Sequence, residues 1–412
     1  MADKRPILFL SDAVSGTSGL ARITRDISTR VHEHLGDVYR VASYGYGSPG
    51  SSKISFPQFV IEGMDSWVMP TLPQVCEDFF GKEKGIIFTV FDPSRLTWLA
   101  APRGCSELFS KFPGLQQWAA NRPFELWGYI PLDGAGPNDR LTFPLMKTLL
   151  GFDRLIGYGD FGADLIRRTI GDENSDARYL TAIPHGLDTD SFYEQDRKLS
   201  RKLFLEYTGA RQFFHLIGTP NAVTPPIADD EVIVSILATN QSRKDWSLGL
   251  ECAAILSRTR KIRVWLHSDS LERYWSLPNL LVDFGLLDRA VISLGFIPDN
   301  RLATGYTTSD ITLGIGPEGY GYTIAESMAC GTPCITGSYA NNAALVHPGM
   351  LVDPVAFRYE GSYATKRPVY RAEDFAAKAE EWIGKRAFLH PQYDWNNLWP
   401  TQWEPWFREA AK

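Results

Sequence analysis

The sequence predicts an α/β chain of two domains, and three observations carry that reading. At 412 residues the chain has room for two domains of about 200 residues each. Short apolar runs recur directly ahead of polar or glycine-rich turns and helix-compatible stretches, first at the N-terminus and again from Val232. Between those two series lies a charged and then Pro- and Gly-containing segment, Glu194 to Glu231, which is read as the connection between domains.

The first series begins with Pro6–Ser11, an apolar run bounded by charge on one side and small polar residues on the other, hence a buried strand. A Gly/Ser loop follows, then Ile23, Ile27 and Val31 at helical spacing, giving the opening βα unit of a Rossmann-like domain. The loop is not GxGxxG, so a dinucleotide site has little support. Further strands are expected at Val38–Ser43, Gly85–Phe91 and Leu126–Pro131, and a strand–turn–helix at Leu155–Ile170. Tyr44–Ser55, rich in Gly and Ser, reads as a long surface loop. Asp92 and Asp133 each follow a predicted strand, and carboxyl ends of strands line the ligand crevice in open α/β sheets.

In the second series, Val232 opens a strand, a polar turn carrying Arg243 and Lys244 follows, and a helix bears Leu248, Cys252 and Ile255. Two adjacent cations just ahead of a helix suit a diphosphate leaving group, although such pairs are commonly solvated surface. Lys261–Ser268 is the next strand. The stretch Ile315–Gly337, IGPEGYGYTIAESMACGTPCITG, then joins a glycine-rich turn to a helix over Thr323–Ala329 and a strand at Cys334–Thr336. Such a turn aims free N–H groups and a helix dipole at one spot, which favours phosphate. Glu318 and Glu326, eight positions apart, flank that spot as acceptors for hydroxyl groups. The same pattern also fits a plain strand–turn–helix with two solvated glutamates. Near the C-terminus, Trp395, Trp399, Trp403 and Trp406 recur at helix-like spacing, a pattern that reads as core packing.

Composition narrows the classes. Apolar residues make up 44% and charged residues 22%, as in a globular enzyme, and the net charge of −6 advertises no pull toward nucleic acid. The sequence has no apolar run of the roughly 18–20 residues that span a bilayer, so stable membrane insertion is not expected. The apolar part of MADKRPILFLSDA is too short for a secretory signal. Five cysteines without a spaced framework fit a reducing compartment, and a cytoplasmic location is expected.

The segment EGYGYTIAESMACGTPCI resembles the Glu-x7-Glu signature of retaining glycosyltransferases of the GT-B fold, in particular glycosyltransferase family 4. That resemblance implies two Rossmann-like domains facing each other across a cleft, with a C-terminal helix crossing back to the first. It places an acceptor-binding domain at 1–215, a nucleotide-sugar domain at 216–385 and the crossover helix at 386–412. It implies that Glu318 contacts the donor sugar, that Glu326 binds the ribose hydroxyls, and that Arg243 and Lys244 hold the diphosphate with Gly319, Tyr320, Gly321, Tyr322 and Thr323. Gly295, Phe296 and Ile297 would line the base pocket. Gly16 and Gly19, and more loosely Arg22, match the loop that approaches the diphosphate. Asp133 stands near the position where the family often has a catalytic His, and SYANNAALV replaces an ending in which a Glu stands near Ala344. Ile183–Phe192, IPHGLDTDSF, resembles the family's IPNGVDxxxF element, so Asp188 and Asp190 are read as loop acids and no metal or other cofactor is expected.

The activity so implied is transfer of a sugar, with retention of anomeric configuration, from a nucleotide-diphosphate donor (UDP-glucose by default). The acceptor is left open among glycan, metabolite, protein and modified nucleic-acid base, the last as in phage-type enzymes. A nucleotide-sugar epimerase, a phosphorylase or a non-catalytic nucleotide-sugar-binding protein are the competing readings.

Overall fold

A computed structural model describes residues 4–47, 50, 52–62, 68–104, 112–219 and 222–412. The chain divides into two compact units, residues 1–185 with 361–365 and 397–412, and residues 186–360 with 366–396.

The first unit is built on seven strands, β1 (Arg5–Asp12), β2 (Tyr39–Tyr46), β3 (Gln58–Ile61), β4 (Gly85–Thr89), β5 (Phe124–Ile130), β6 (Arg154–Tyr158) and β7 (Thr181–Ile183). They pair in the order β3-β2-β1-β4-β5-β6-β7, every neighbour parallel. A parallel sheet covered on both faces needs continuous apolar strands rather than alternating ones. Ile7–Leu10 and Ile86–Phe88 meet that need, each residue fully buried. Leu8, Leu10 and Ile87 join one face of the core with Leu72, Leu99 and Leu165. On the other face, Phe88 packs on Phe407 and Trp127 on Trp406, at centroid distances of 5.5 and 5.4 Å.

Those last partners belong to the C-terminal segment, which therefore returns to the first unit. Helical residues Trp395–Leu398 run into a π-helical turn, Trp399–Trp403, and then Glu404–Ala410. Pro400 and Pro405 lack the N–H groups an α-helix would use here, and a wider turn accommodates that loss. Tyr39 donates to the Phe407 carbonyl at 2.7 Å, and Trp403 Nε1 to that of Pro184 at 3.3 Å. The return begins at Asn397, whereas residues 386–396 stay with the second unit. There Arg386 reaches the Cys330 carbonyl at 2.9 Å and Tyr393 that of Ala344 at 2.9 Å.

The second unit has six parallel strands: β8 (Val232–Leu237), β9 (Ile262–Ser268), β10 (Ala290–Leu294), β11 (Ile311–Gly314), β12 (Cys334–Gly337) and β13 (Leu351–Val352). Their order is β10-β9-β8-β11-β12-β13. A hairpin of Ala356–Glu360 with Thr365–Val369, not anticipated from the sequence, forms a separate two-stranded sheet.

The stretch expected to connect the domains, Glu194–Glu231, is largely structured within the second unit. Its helix Arg197–Thr208 buries Ser200, Phe204 and Thr208. Phe204 meets Trp265 edge to face at 5.3 Å, and Arg197 pairs with Asp310. The units divide at His185–Gly186, ahead of the expected boundary at residue 215. Of the loop expected at Tyr44–Ser55, Tyr44–Tyr46 completes β2, and Ser48, Pro49 and Ser51 lie outside the described residues.

Candidate functional site

In the second sheet the strand order reverses between β8 and β11, so the chain leaves their carboxyl ends in opposite directions and opens a crevice there. After β8, Asn240 ties the outgoing loop down: its N–H donates to Asp269 at 2.7 Å and its side chain to the Trp275 carbonyl at 2.8 Å. Asp245 then caps the helix Trp246–Leu256 through the Leu248 N–H. Arg243 and Lys244 are held between these two fixed points.

From β11 the chain turns through Gly316, Pro317 and Glu318. Gly316 has φ 82°, and a Cβ there would stand 2.5 Å from the Arg243 carbonyl, so the close approach of the two loops requires glycine. The consequence is an ionic cluster. Lys244 pairs with Glu318, and Arg243 Nη1 lies 3.4 Å from the same carboxylate. Arg243 also donates to the Pro317 carbonyl at 3.3 Å. The Lys244 side chain is only 7% exposed and that of Glu318 19%, so these charges interact with little screening by water.

Gly321, with φ 98° and ψ 60°, swings the turn Gly319–Gly321 into the helix Tyr322–Ala329. The first N–H groups of a helix have no acceptor within it, and they emerge at this turn. Tyr320 and Tyr322 meet edge to face at 5.1 Å. Thr323 anchors the helix to the end of β8 by donating to the Leu237 carbonyl at 3.1 Å. Glu326, on the next turn, is buried and accepts the Tyr306 hydroxyl at 2.9 Å. Burial and the Glu326 carboxylate together push that hydroxyl well above its ordinary value, so Tyr306 remains a donor.

Gly295, Phe296 and Ile297 follow β10, two strands from the reversal and on the same edge of the sheet. Gly295 turns the chain at φ 75° and donates to the Ser268 carbonyl at 3.1 Å. Ile297 is buried, whereas Phe296 is 68% exposed. Beneath this loop His267 bonds Ser293 at 3.0 Å, and burial lowers its pKa to about 4.

The first sheet reverses between β1 and β4. Asp12, ending β1, accepts the Ser18 hydroxyl at 2.6 Å, and Ser18 Oγ caps the helix Gly19–His34 through the Ala21 N–H at 3.1 Å. Arg25 takes the carbonyls of Val14 and Gly16, each at 3.0 Å. The Gly16 N–H is already given to the Ala13 carbonyl at 2.7 Å, and Gly19 is the first residue of the helix. After β4, Asp92 caps Ser94 and Arg95 lies 3.6 Å from Asp12. Asp92 is open to solvent, yet atoms crowding it raise its carboxyl above the usual range, and the charge of Asp133 adds to that shift. Asp133 itself is half-buried on the loop after β5.

Asp26 escaped the sequence reading, although its partner His185 stands in the IPHGLDTDSF element singled out there. Asp26 lies 3.5 Å from the buried His185. Burial of Asp26 is outweighed by His185 and Arg22, which hold the carboxylate below its ordinary value; burial drives His185 down despite Asp26. The pair Asn341–Asn342 was noted only as a departure from the family ending; the structure buries both amides, and buried amides need hydrogen-bond partners.

Asp188 accepts the Asp190 N–H at 3.1 Å and the Ser191 hydroxyl at 2.8 Å, the geometry of a turn. Among the described residues no group of three or more His, Cys, Asp or Glu side chains is placed to hold a metal ion, and no helix is long and apolar enough to cross a membrane.

No protein-family model matches this chain, and no curated protein matches it in sequence. Its likenesses are structural. A sucrose-phosphate synthase from Thermosynechococcus elongatus superposes with a TM-score of 0.63 at 15% identity, over 99% of this chain and 100% of that one. HepE from Anabaena, in complex with UDP-glucose, gives 0.58 at 14% identity over 98% and 99%. A glycosyltransferase from Rickettsia africae gives 0.60 at 13% identity over 99% of each chain. With two parallel-sheet Rossmann-like units and a C-terminal segment returning to the first, the chain has the GT-B fold.

Proposed function

We propose that this protein is a retaining glycosyltransferase of the family 4 type, moving a sugar from a nucleotide-diphosphate donor to a hydroxyl acceptor. The observation that carries the reading is the cluster at the β8/β11 reversal, where Lys244 and Arg243 converge on Glu318 beside the start of the helix Tyr322–Ala329. In the reaction the bond from the anomeric carbon to the β-phosphate oxygen breaks. A bond to the acceptor oxygen forms on the same face, and the acceptor proton passes to the leaving phosphate.

Arg243, Lys244 and the N–H groups of Gly321, Tyr322 and Thr323 stabilise the charge that develops on the diphosphate, a contribution of several kcal/mol in a preorganised site. Gly319 and Tyr320 shape the turn around it, and Glu318 orients the sugar hydroxyls. Glu326, held by Tyr306, accepts the ribose hydroxyls, and the base rests against Gly295, Phe296 and Ile297. In the first unit, Gly16 and Gly19 match the loop that in the family approaches the diphosphate, and Asp133 stands where the family often has a His. These cations and the helix dipole offset the phosphate charge without a metal. The UDP and UDP-glucose complexes of HepE support a uridine nucleotide as the first donor to try.

The reading is tested by incubating the protein with UDP-glucose and a panel of hydroxyl acceptors, following UDP release, and assigning the product anomer by proton NMR. Acceptor-dependent UDP release with an α-linked product is expected. Release with inversion, or no release with any nucleotide sugar, would count against it.

A further inference from the structure

Pro317 stiffens the entry to Glu318, but Gly316, Gly319 and Gly321 leave the rest of the turn little conformational preference of its own. Its fixity comes from elsewhere. A short helix after β12, Asn342–Leu345, opens with Asn342, which is 1% exposed and uses its whole amide on this turn and on Thr336. Asn342 Oδ1 accepts the Glu318 backbone N–H at 2.9 Å, while Nδ2 donates to the Gly316 carbonyl at 3.0 Å and to Thr336 Oγ1 at 2.8 Å. Only this orientation of the amide satisfies all three partners, since the Glu318 N–H can only donate and the Gly316 carbonyl can only accept. Thr336 passes its own proton to the Gly314 carbonyl at 2.9 Å, so the chain of bonds runs back to β11. Asn341 completes the frame by donating to the Gly319 carbonyl at 2.5 Å.

We propose that Asn342 is a positioning residue of the donor site. It fixes the peptide of Glu318, and through it the register of the carboxylate against the donor sugar, so that it governs sugar recognition and leaves nucleotide recognition to other residues. This rests on Glu318 contacting the donor sugar, as proposed above. The physical basis is leverage. A reacting group displaced by about 1 Å costs on the order of 10²-fold in rate, and a turn of glycines without its anchor permits such a displacement. Asn240 and Asp245 fix the backbone on either side of Arg243 and Lys244 without using Asn342, so the loop that carries the cations keeps its place even though both side chains also reach Glu318.

Calorimetric titration of UDP against UDP-glucose, and GDP against GDP-mannose, on the wild type, Asn342→Ala and Asn342→Asp separates the roles. With the nucleotide class that binds the wild type, Asn342→Ala is expected to keep affinity for the nucleoside diphosphate within about two-fold and to weaken the sugar conjugate by about ten-fold, the loss of one hydrogen bond's worth of order. Asn342→Asp keeps an acceptor for the Glu318 N–H but loses the donors to Gly316 and Thr336 and sets a buried carboxylate against the Gly316 carbonyl, so a loss of sugar preference at least as large is expected. It also carries the comparison should Asn342→Ala fail to fold. Equal weakening of nucleotide and conjugate, or undiminished sugar preference in both variants, overturns the proposal while leaving the transferase reading intact. A wild type that binds none of the four ligands overturns both.

Discussion

Both sheets reverse strand order, β1/β4 in the first unit and β8/β11 in the second, and both open their carboxyl edges there, but the two edges carry different chemistry. The second gathers two cations, a glycine-rich turn and a helix start around one carboxylate, Glu318. The first gathers carboxylates, Asp12, Asp92 and Asp133, with Arg95 paired to Asp12 and serine hydroxyls nearby. An edge rich in cations and N–H donors suits a diphosphate, and one rich in carboxylate acceptors suits hydroxyl groups. On the reading proposed above, the donor binds at the second unit's edge and the acceptor at the first.

The sharpest way to break that assignment is Lys244→Ala. Removing a buried cation that faces developing charge is expected to lower turnover of the donor about 10²- to 10³-fold, measured as nucleotide release. Arg243→Ala should cost less, because that side chain is 29% exposed against 7% for Lys244. A loss of comparable size on changing Asp12 or Arg95, with Lys244→Ala near wild type, would reverse the assignment.

Acid should stress the units through different groups. His267 in the second unit has its pKa lowered to about 4. The unfolded chain, titrating near 6.5, binds the proton first, so stability is full above about pH 6.5 and falls as pH drops toward 4, by at most about 3 kcal/mol. In the first unit His185 is lowered too, and contributes in the same direction below pH 6.5. Asp26, also lowered, contributes stability that is present above its unfolded value and lost as pH falls through its folded one. Urea unfolding between pH 7 and 4, repeated with His267→Gln, should show a flatter profile for the variant.

A smaller effect is expected from Tyr306→Phe, which leaves the buried Glu326 carboxylate without the 2.9 Å hydroxyl. The cost is about 1–3 kcal/mol, visible as a lower melting temperature and weaker nucleoside binding. The smallest effect on nucleotide affinity is predicted for Asp133→Asn, no more than about two-fold, with transfer to an acceptor reduced well beyond that. A variant that loses nucleotide affinity and transfer in parallel would place Asp133 on the donor side.

What was legible in the sequence follows the same division. The second edge could be read because its groups lie in one contiguous stretch, Ile315–Gly337, and in the adjacent pair Arg243–Lys244. Buried strands such as Ile7–Leu10 announced themselves as unbroken apolar runs, and Trp399 and Trp403 are indeed packed in a core. The first edge was legible only in part: Asp92 and Asp133 could be placed after predicted strands, but groups from separate loops have no local pattern, and nothing relates Asp12 to Arg95, or Asp26 to His185. The connection expected at Glu194–Glu231 misled because the helix Arg197–Thr208, RKLSRKLFLEYT, is rich in charge and shows its packing through few residues, chiefly Phe204. Strands as short as Thr181–Ile183 and Leu351–Val352 carry too few residues for a periodic signal.

The central claim, that the second unit's edge binds a nucleotide diphosphate through the cations and its ribose through Glu326, is tested most directly by a thermal-shift panel. UDP, GDP, ADP and their common sugar conjugates would be titrated against the wild type and Glu326→Ala. A ligand present at 100 times its dissociation constant adds about 2.7 kcal/mol of stability, a shift well within reach. The account predicts that one nucleotide class stabilises the wild type and that the shift shrinks in the variant. No shift with any nucleotide in well-folded protein, or a shift that Glu326→Ala leaves unchanged, would contradict it.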